Sequence, residues 1–392
     1  MNPITVFFDM KKSIRIVHTL SGISFPIIAA AVLLTGCAKS PSGSVVDSLQ
    51  SIVAQGKIAY AHQDDLVYGH SWVVEDVAGD PLERSDVKSV CGDYPFMVGF
   101  DLGGIELGNP ANLDGVPFDL MRRAAITHMS RGGMVTFSWH PRNPYTGGDA
   151  WDVSSDKVVA SILEGGEKHG VFMQWLERAG DFLESLKDDK GNPLPILFRP
   201  WHENVGSWFW WGGRLCTPEQ YKALFALTHD YLAVERGLEN IAWAYSPNSG
   251  ISLEEYMERY PGDGIVDVIG VDHYEYLDPN AEITEEKRFE AGNAYYQQVL
   301  RQDLSKLQQI AQERGKVIAL SETGLEGIPY PTWWTEVLLP VVKEFPVAYV
   351  LTWRNAHDRA GHFYAPFPGS KDSEDFVAFH DDPATLFLGS GQ

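Results

Sequence analysis

Short runs rich in Val, Ile, Phe and Tyr recur along the chain, separated by longer stretches whose apolar residues follow a helical period. That alternation is the pattern of parallel strands joined by crossover helices. The strand-like runs fall at 57–62, 96–101, 134–140, 196–200, 241–246, 266–272, 317–321 and 348–353, with helical segments at 118–130, 171–187, 218–235, 285–314 and 332–344. The segment at 218 opens on Thr217-Pro218, a capping hydroxyl followed by proline in the first turn. Eight such units in succession predict an α/β fold, a (β/α)8 TIM barrel forming a single domain over 50–392.

Polar residues gather where the apolar runs end. The first strand leads into His62-Gln63-Asp64, the second ends on Asp101, the third on Trp139-His140, and the fourth leads into Trp201-His202-Glu203. The remaining four lead into Ser246-Pro247-Asn248, Asp272-His273-Tyr274, Glu322 and Trp353-Arg354-Asn355. In a closed barrel these ends converge on one face, where active sites of this architecture lie.

Composition narrows the partners. Hydrophobic residues make up 44% and charged residues 21% of the 392, enough to bury a large core and far from a disordered composition. The net charge of -22 repels phosphate backbones, which argues against nucleic acid as a partner. Twelve Trp and 16 Tyr, many in Gly-containing loops, suit a ligand with flat apolar faces such as a sugar. The sequence holds no CxxC or HExxH metal pair and no GxGxxG or Walker phosphate loop, so neither a metal nor an organic cofactor is expected. Cys91 and Cys216 are expected to remain unpaired thiols.

The front of the chain reads as an export signal. Lys11, Lys12 and Arg15 precede an apolar stretch ending in Leu34-Thr35-Gly36-Cys37, which resembles the bacterial lipobox. The resemblance implies removal of residues 1–36, lipidation at Cys37 and a flexible tether over 37–49. Ala38-Lys39-Ser40 lacks an acidic run, which favours attachment on the periplasmic side of the outer membrane over the cell surface. Oligomeric state leaves no mark on the sequence.

Two glutamates carry the chemical signal: Glu203 just past the fourth strand, and Glu322 at the tip of the seventh. A pair of carboxyl groups across one linkage is what glycosidic cleavage needs, one to protonate the leaving oxygen and one to act at the anomeric carbon or on water. The motifs around them are specific. RPWHENVGSWFWWG surrounds Glu203, SETG surrounds Glu322, and HQDDLVYG, FSWHPRNP, GVDHY and TWRNA follow or end the first, third, sixth and eighth strands. Together they resemble glycoside hydrolase family 26, best known for β-mannanases.

The resemblance implies retention of anomeric configuration, with Glu203 as acid/base and Glu322 as nucleophile. It implies β-mannan, galactomannan, glucomannan or manno-oligosaccharides as substrates. It further places Trp208 at the sugar subsites, Tyr274 against the nucleophile, and His140, Trp353 and Arg354 at the glycone subsites, while the place of His202 beside Glu203 gives it a substrate-binding role over that of a core histidine. Asp272 is expected to bind sugar or to hold Arg354 or His140. Trp151 and Asp101 are weaker candidates, and His62 is a polar filler of the barrel interior. An open groove would give endo cleavage of mannan, while a wall formed by segments 70–93 and 103–117 would give mannobiose-releasing exo cleavage. A further alternative is a non-catalytic glycan-binding lipoprotein.

Overall fold

The computed structural model describes residues 41–277 and 283–389, so the export signal and Cys37 lie outside the described residues. The eight expected strands are present as β1 (Ile58–Gln63), β2 (Met97–Asp101), β3 (Met134–Trp139), β4 (Ile196–Pro200), β5 (Ile241–Tyr245), β6 (Val268–Glu275), β7 (Val317–Leu325) and β8 (Val347–Thr352). Each pairs in parallel with its neighbours in chain order. The pairing of β1 with β8, from Ala59↔Tyr349 to His62↔Thr352, closes the (β/α)8 barrel.

Side chains alternate across each strand, as the two-residue period requires. Phe100, Phe137, Phe198, Trp243, Leu320 and Val350 point outward into the shell of helices, all buried. Small residues fill the interior at the start of the strands, among them Ala59, Ala61, Ala242, Ala244 and Ala319. The helices supporting this shell include Phe118–Ser130, His169–Glu184 and Pro218–His229. The last of these opens on Thr217 as its N-cap, as its sequence predicts, and Gln220 completes a capping box with it.

Two expectations need correction. Residues 41–49 are not a tether: Pro41–Ala54 is a helix, α1, and its Val45, Leu49 and Ile52 are buried against the small residues at the barrel's base. Their spacing of four and three residues forms one apolar stripe, a signal masked by the Ser- and Gly-rich start of the helix. The second concerns β6 and β7, which run on to Glu275 and Leu325, past the apolar runs that mark them in the sequence. They stay paired from Asp272↔Glu322 to Glu275↔Leu325, so Glu322 lies inside the sheet and not at its tip.

Cys91 and Cys216 are both free thiols, as expected. No helix among the described residues is long and apolar enough to cross a membrane.

Candidate active site

Glu203 reaches the C-terminal face through a strained turn. Alternation on β4 points Leu197 and Arg199 inward, and the chain then leaves the sheet through Trp201, His202 and Glu203. Trp201 and Glu203 are left-handed, with φ of 57° and 53°. Such conformations cost non-glycine residues about 1–3 kcal/mol each and persist only where the surroundings enforce them. Here the Trp201 carbonyl accepts from Tyr221 Oη (2.8 Å), the His202 carbonyl accepts from Trp211 Nε1 (2.9 Å), and Glu203 N–H donates to the Ser246 carbonyl (2.8 Å). The Glu203 carboxyl, half-buried, accepts from Trp208 Nε1 at 2.6 Å.

Glu322 is delivered by a bulge. Between Val271↔Leu320 and Asp272↔Glu322 the ladder gains one residue on β7, and the same slip recurs against β8. Ser321 and Glu322 therefore both reach the polar interior, Ser321 Oγ donating to Asp272 Oδ1 at 2.7 Å. The Arg199 guanidinium sits among them. It donates to Glu322 Oε1, to Asp272 Oδ2 (2.8 Å) and to Ser246 Oγ (3.1 Å), while Tyr274 Oη donates to Glu322 Oε2 at 2.8 Å. One oxygen each from Glu203, Asp272 and Glu322 lies within 4.8 Å of the others. The guanidinium already bonded to two of these carboxylates supplies the cluster's positive charge.

The two glutamates sit in opposite environments. Burial, together with the charges of Glu322 and Asp272, pushes the Glu203 carboxyl well above the ordinary carboxylate range. Glu322 instead accepts hydrogen bonds from a guanidinium and a phenol. Burial raises Asp272 to about 7, opposed by Arg199 and assisted by Glu322. A carboxyl whose surroundings keep its proton, as those of Glu203 do, is suited to act as a general acid.

The bond from Trp208 to Glu203 favours the carboxylate form. Trp208→Phe keeps a ring but removes the donor, so the Glu203 pKa should rise further. The alkaline limb of the kcat/KM profile is then expected at higher pH than in the unmodified protein, with kcat/KM at the optimum changed by less than about tenfold. An unmoved or acid-shifted limb in the pH–rate profile would contradict this.

Beside the carboxyl cluster lies a cavity of about 500 Å³ lined by His140, Trp151, Trp353, Arg354, Leu113 and Asp114 among others. Trp151 is 48% and Trp208 43% exposed, available as stacking faces. The rest of the aromatic run behaves differently: Phe209, Trp210 and Trp211 are core.

The candidate residues thus separate into groups. Glu203, Glu322, Asp272, Tyr274 and Trp208 meet at the centre, while His140, Trp151, Trp353 and Arg354 line the cavity. Asp272 holds Arg199, not Arg354 or His140; Arg354 pairs with Asp114 at 3.0 Å and His140 with Asp101 at 2.7 Å. His202 is buried, its ring against His140, Phe209 and Trp211, and it is absent from the cavity lining. His62 is buried with Asp65 at 2.8 Å. The sequence assigns no role at the site to Ser246, Ser321 or Asp114, and marks Arg199 only as a neighbour that tunes the charge of Glu203. The pairing of Arg199 with Asp272 and Glu322 follows from its place two residues after Leu197, on the inward face of β4.

The glycosyl hydrolase family 26 profile matches residues 42–335. A mannan endo-1,4-β-mannosidase of Bifidobacterium adolescentis is 30% identical over 349 residues, covering 84% of this chain and 34% of that protein. One from Bacillus subtilis is 29% identical, covering 53% of this chain and 58% of its own. The chain thus spans about a third of the first of these curated relatives and under two thirds of the second. Among solved structures, a family 26 β-mannanase from Bacteroides ovatus superposes with a TM-score of 0.82 at 45% identity, covering 90% of this chain and 97% of that one. A Cellulomonas fimi endo-β-1,4-mannanase double mutant gives 0.74 at 34% identity, covering 90% and 77%.

Proposed function

The chain belongs to glycosyl hydrolase family 26, and on that premise we propose that it hydrolyses β-1,4-mannosidic linkages in mannan, galactomannan or glucomannan with retention of anomeric configuration. The observation that carries the reading is the approach of a Glu203 oxygen to a Glu322 oxygen within 4.8 Å. Retaining enzymes hold their carboxyl groups about 5–5.5 Å apart, whereas inverting ones leave about 6.5–9.5 Å for a water molecule. The names of the relatives, several of them mannan endo-1,4-β-mannosidases, support mannan as the substrate.

In the first step Glu203 donates its proton to the glycosidic oxygen as the Glu322 carboxylate attacks the anomeric carbon. The glycosidic C–O bond breaks and a glycosyl ester forms on Glu322. Glu203, now a carboxylate, takes a proton from an incoming water. The resulting hydroxide equivalent displaces Glu322 from the anomeric carbon, restoring both side chains. Arg199 and Tyr274 orient the attacking carboxylate, and no other group in the cluster needs to change its bonding.

The test is digestion of a mannan panel followed by NMR of the first products. Reducing ends of β configuration are expected on β-1,4-mannans. Initial α products would exclude double displacement, and binding without new reducing ends would favour the non-catalytic alternative.

One observation favours the exo reading of where the cut falls. Leu113 and Asp114, from the loop after β2, line the same cavity as Asp358, Arg359 and His362 from the loop after β8. His70, after β1, stacks on Phe367 with ring centroids 3.7 Å apart. Loops joined in this way support an end wall. Mannobiose as the dominant early product from mannohexaose, with slow loss of polymer viscosity, would match it, whereas rapid viscosity loss would match an open groove.

A further inference from the structure

Asp101 is a fully buried carboxylate outside the catalytic cluster, at the end of β2, with more donors than a structural cap requires. Its Oδ1 accepts from Gly103 N–H (2.7 Å) and His140 N–H (3.2 Å), and its Oδ2 from Ser138 Oγ (2.6 Å) and His140 Nδ1 (2.7 Å). These donors outweigh burial and hold its carboxyl below the ordinary range, so it is ionised and His140 carries a proton on Nδ1. The other nitrogen of His140 lies 3.1 Å from His202 Nε2. His202 Nδ1 is buried with no hydrogen-bond partner, so the contact with His140 is the only hydrogen bond its ring makes among the described residues.

His202 sits between the two left-handed residues, Trp201 and Glu203, at the centre of the strained turn. The turn's backbone is held by Tyr221, Trp211 and Ser246, the Trp201 indole donates to Thr228 Oγ1 (3.1 Å), and Trp208 donates to the Glu203 carboxyl. The chain Asp101–His140–His202 is the hydrogen-bonded path that fastens the His202 side chain at the centre of the turn. The charged groups acting on His140 are Asp101, Glu322 and Arg199, and those acting on His202 are Arg199 and His140. Burial opposes a charged His140, but Asp101 prevails and raises it. Burial, Arg199 and His140 together keep His202 neutral. His140 then donates from both nitrogens and His202 accepts.

We propose that Asp101 is a positioning residue for the reaction: acting through His140 and His202, it holds the turn that aims Glu203 at the glycosidic oxygen. The inference rests on the reading of Glu203 as acid/base and predicts a specific kinetic pattern. A misaimed acid slows cleavage when the leaving oxygen needs a proton and matters little when it does not. A residue that merely supports the fold would slow both.

The experiment compares Asp101→Ala, Asp101→Asn and Glu203→Ala on mannotetraose and on 2,4-dinitrophenyl β-mannobioside, whose phenolate leaves without protonation. Glu203→Ala is expected to lose on the order of 10²–10⁴-fold in kcat/KM on mannotetraose and less than about tenfold on the aryl substrate. Asp101→Ala should follow the same pattern on a smaller scale. Its kcat on mannotetraose should fall about tenfold with KM within about twofold, and kcat/KM on the aryl substrate should stay within about twofold. Asp101→Asn keeps an acceptor for Gly103 and a partner for His140, and should recover most of the loss. It also serves as the probe if the alanine variant does not fold. Equal losses on both substrates, no loss on either, or a change confined to KM would overturn the proposal. Glu203→Ala lacking any leaving-group dependence would instead remove the acid/base assignment, and this inference with it.

Discussion

Glu322→Ala is expected to lower kcat on mannan by on the order of 10⁴-fold or more with the fold intact. The loss is large because the proposed carboxylate forms a covalent bond and no neighbour can replace it. Arg199 and Tyr274, which orient Glu322, are donors without nucleophilic charge, and Asp272 is engaged by Arg199, Ser246 and Ser321. The shortened side chain leaves a space flanked by a guanidinium and a phenol, suited to a small anion. Added azide should therefore restore part of the activity and yield an α-glycosyl azide, the product of a single displacement from the opposite face. Turnover near that of the unmodified protein would remove Glu322 as nucleophile. Loss without azide rescue and with a lowered melting temperature would point to a structural role.

Most of the barrel can be read from the chain because its signals are local. Each strand is a brief apolar run, and six of the eight lie within a residue of their sequence-derived limits. The two that do not, β6 and β7, continue through His273-Tyr274-Glu275 and Glu322-Thr323-Gly324, where polar residues interrupt the apolar pattern but partner strands satisfy the backbone. The same limit applies at the site. Glu203 and Glu322 stand in motifs and are legible, whereas the bulge at Ser321 that turns Glu322 inward exists only as a register slip between strands. Pairings such as Arg354 with Asp114, or Asp101 with His140, join residues far apart in sequence, and no local pattern announces them. Helix α1 shows the converse: the stripe of Val45, Leu49 and Ile52 is present in the sequence but begins in residues typical of a linker.

Arg199 makes the sharpest case for a residue that holds fold and chemistry together, and Arg199→Leu is expected to damage both. Its guanidinium is buried and contacts Asp272 and Glu322, so removing it leaves two carboxyl groups in the barrel interior without a counter-charge. Breaking a buried ion pair from one side costs about 3–5 kcal/mol, and catalysis should fail as well because the attacking carboxylate loses its orienting donor. The sign of the pH dependence follows from Asp272. With Arg199 present, burial already raises its carboxyl to about 7, above the ordinary range near 4, so its contribution to stability is full below that range and fades as pH rises towards 7. Without Arg199 the folded-state value rises further, and the fading continues above pH 7. The stability deficit of Arg199→Leu, measured by thermal unfolding against the unmodified protein, should therefore be larger at about pH 8 than at about pH 5. Adding Asp272→Asn removes one of the stranded charges and should recover part of the deficit, a non-additive result expected only of groups in contact. A deficit equal at both pH values, or strictly additive effects in the double variant, would show that the guanidinium does not hold these carboxylates together.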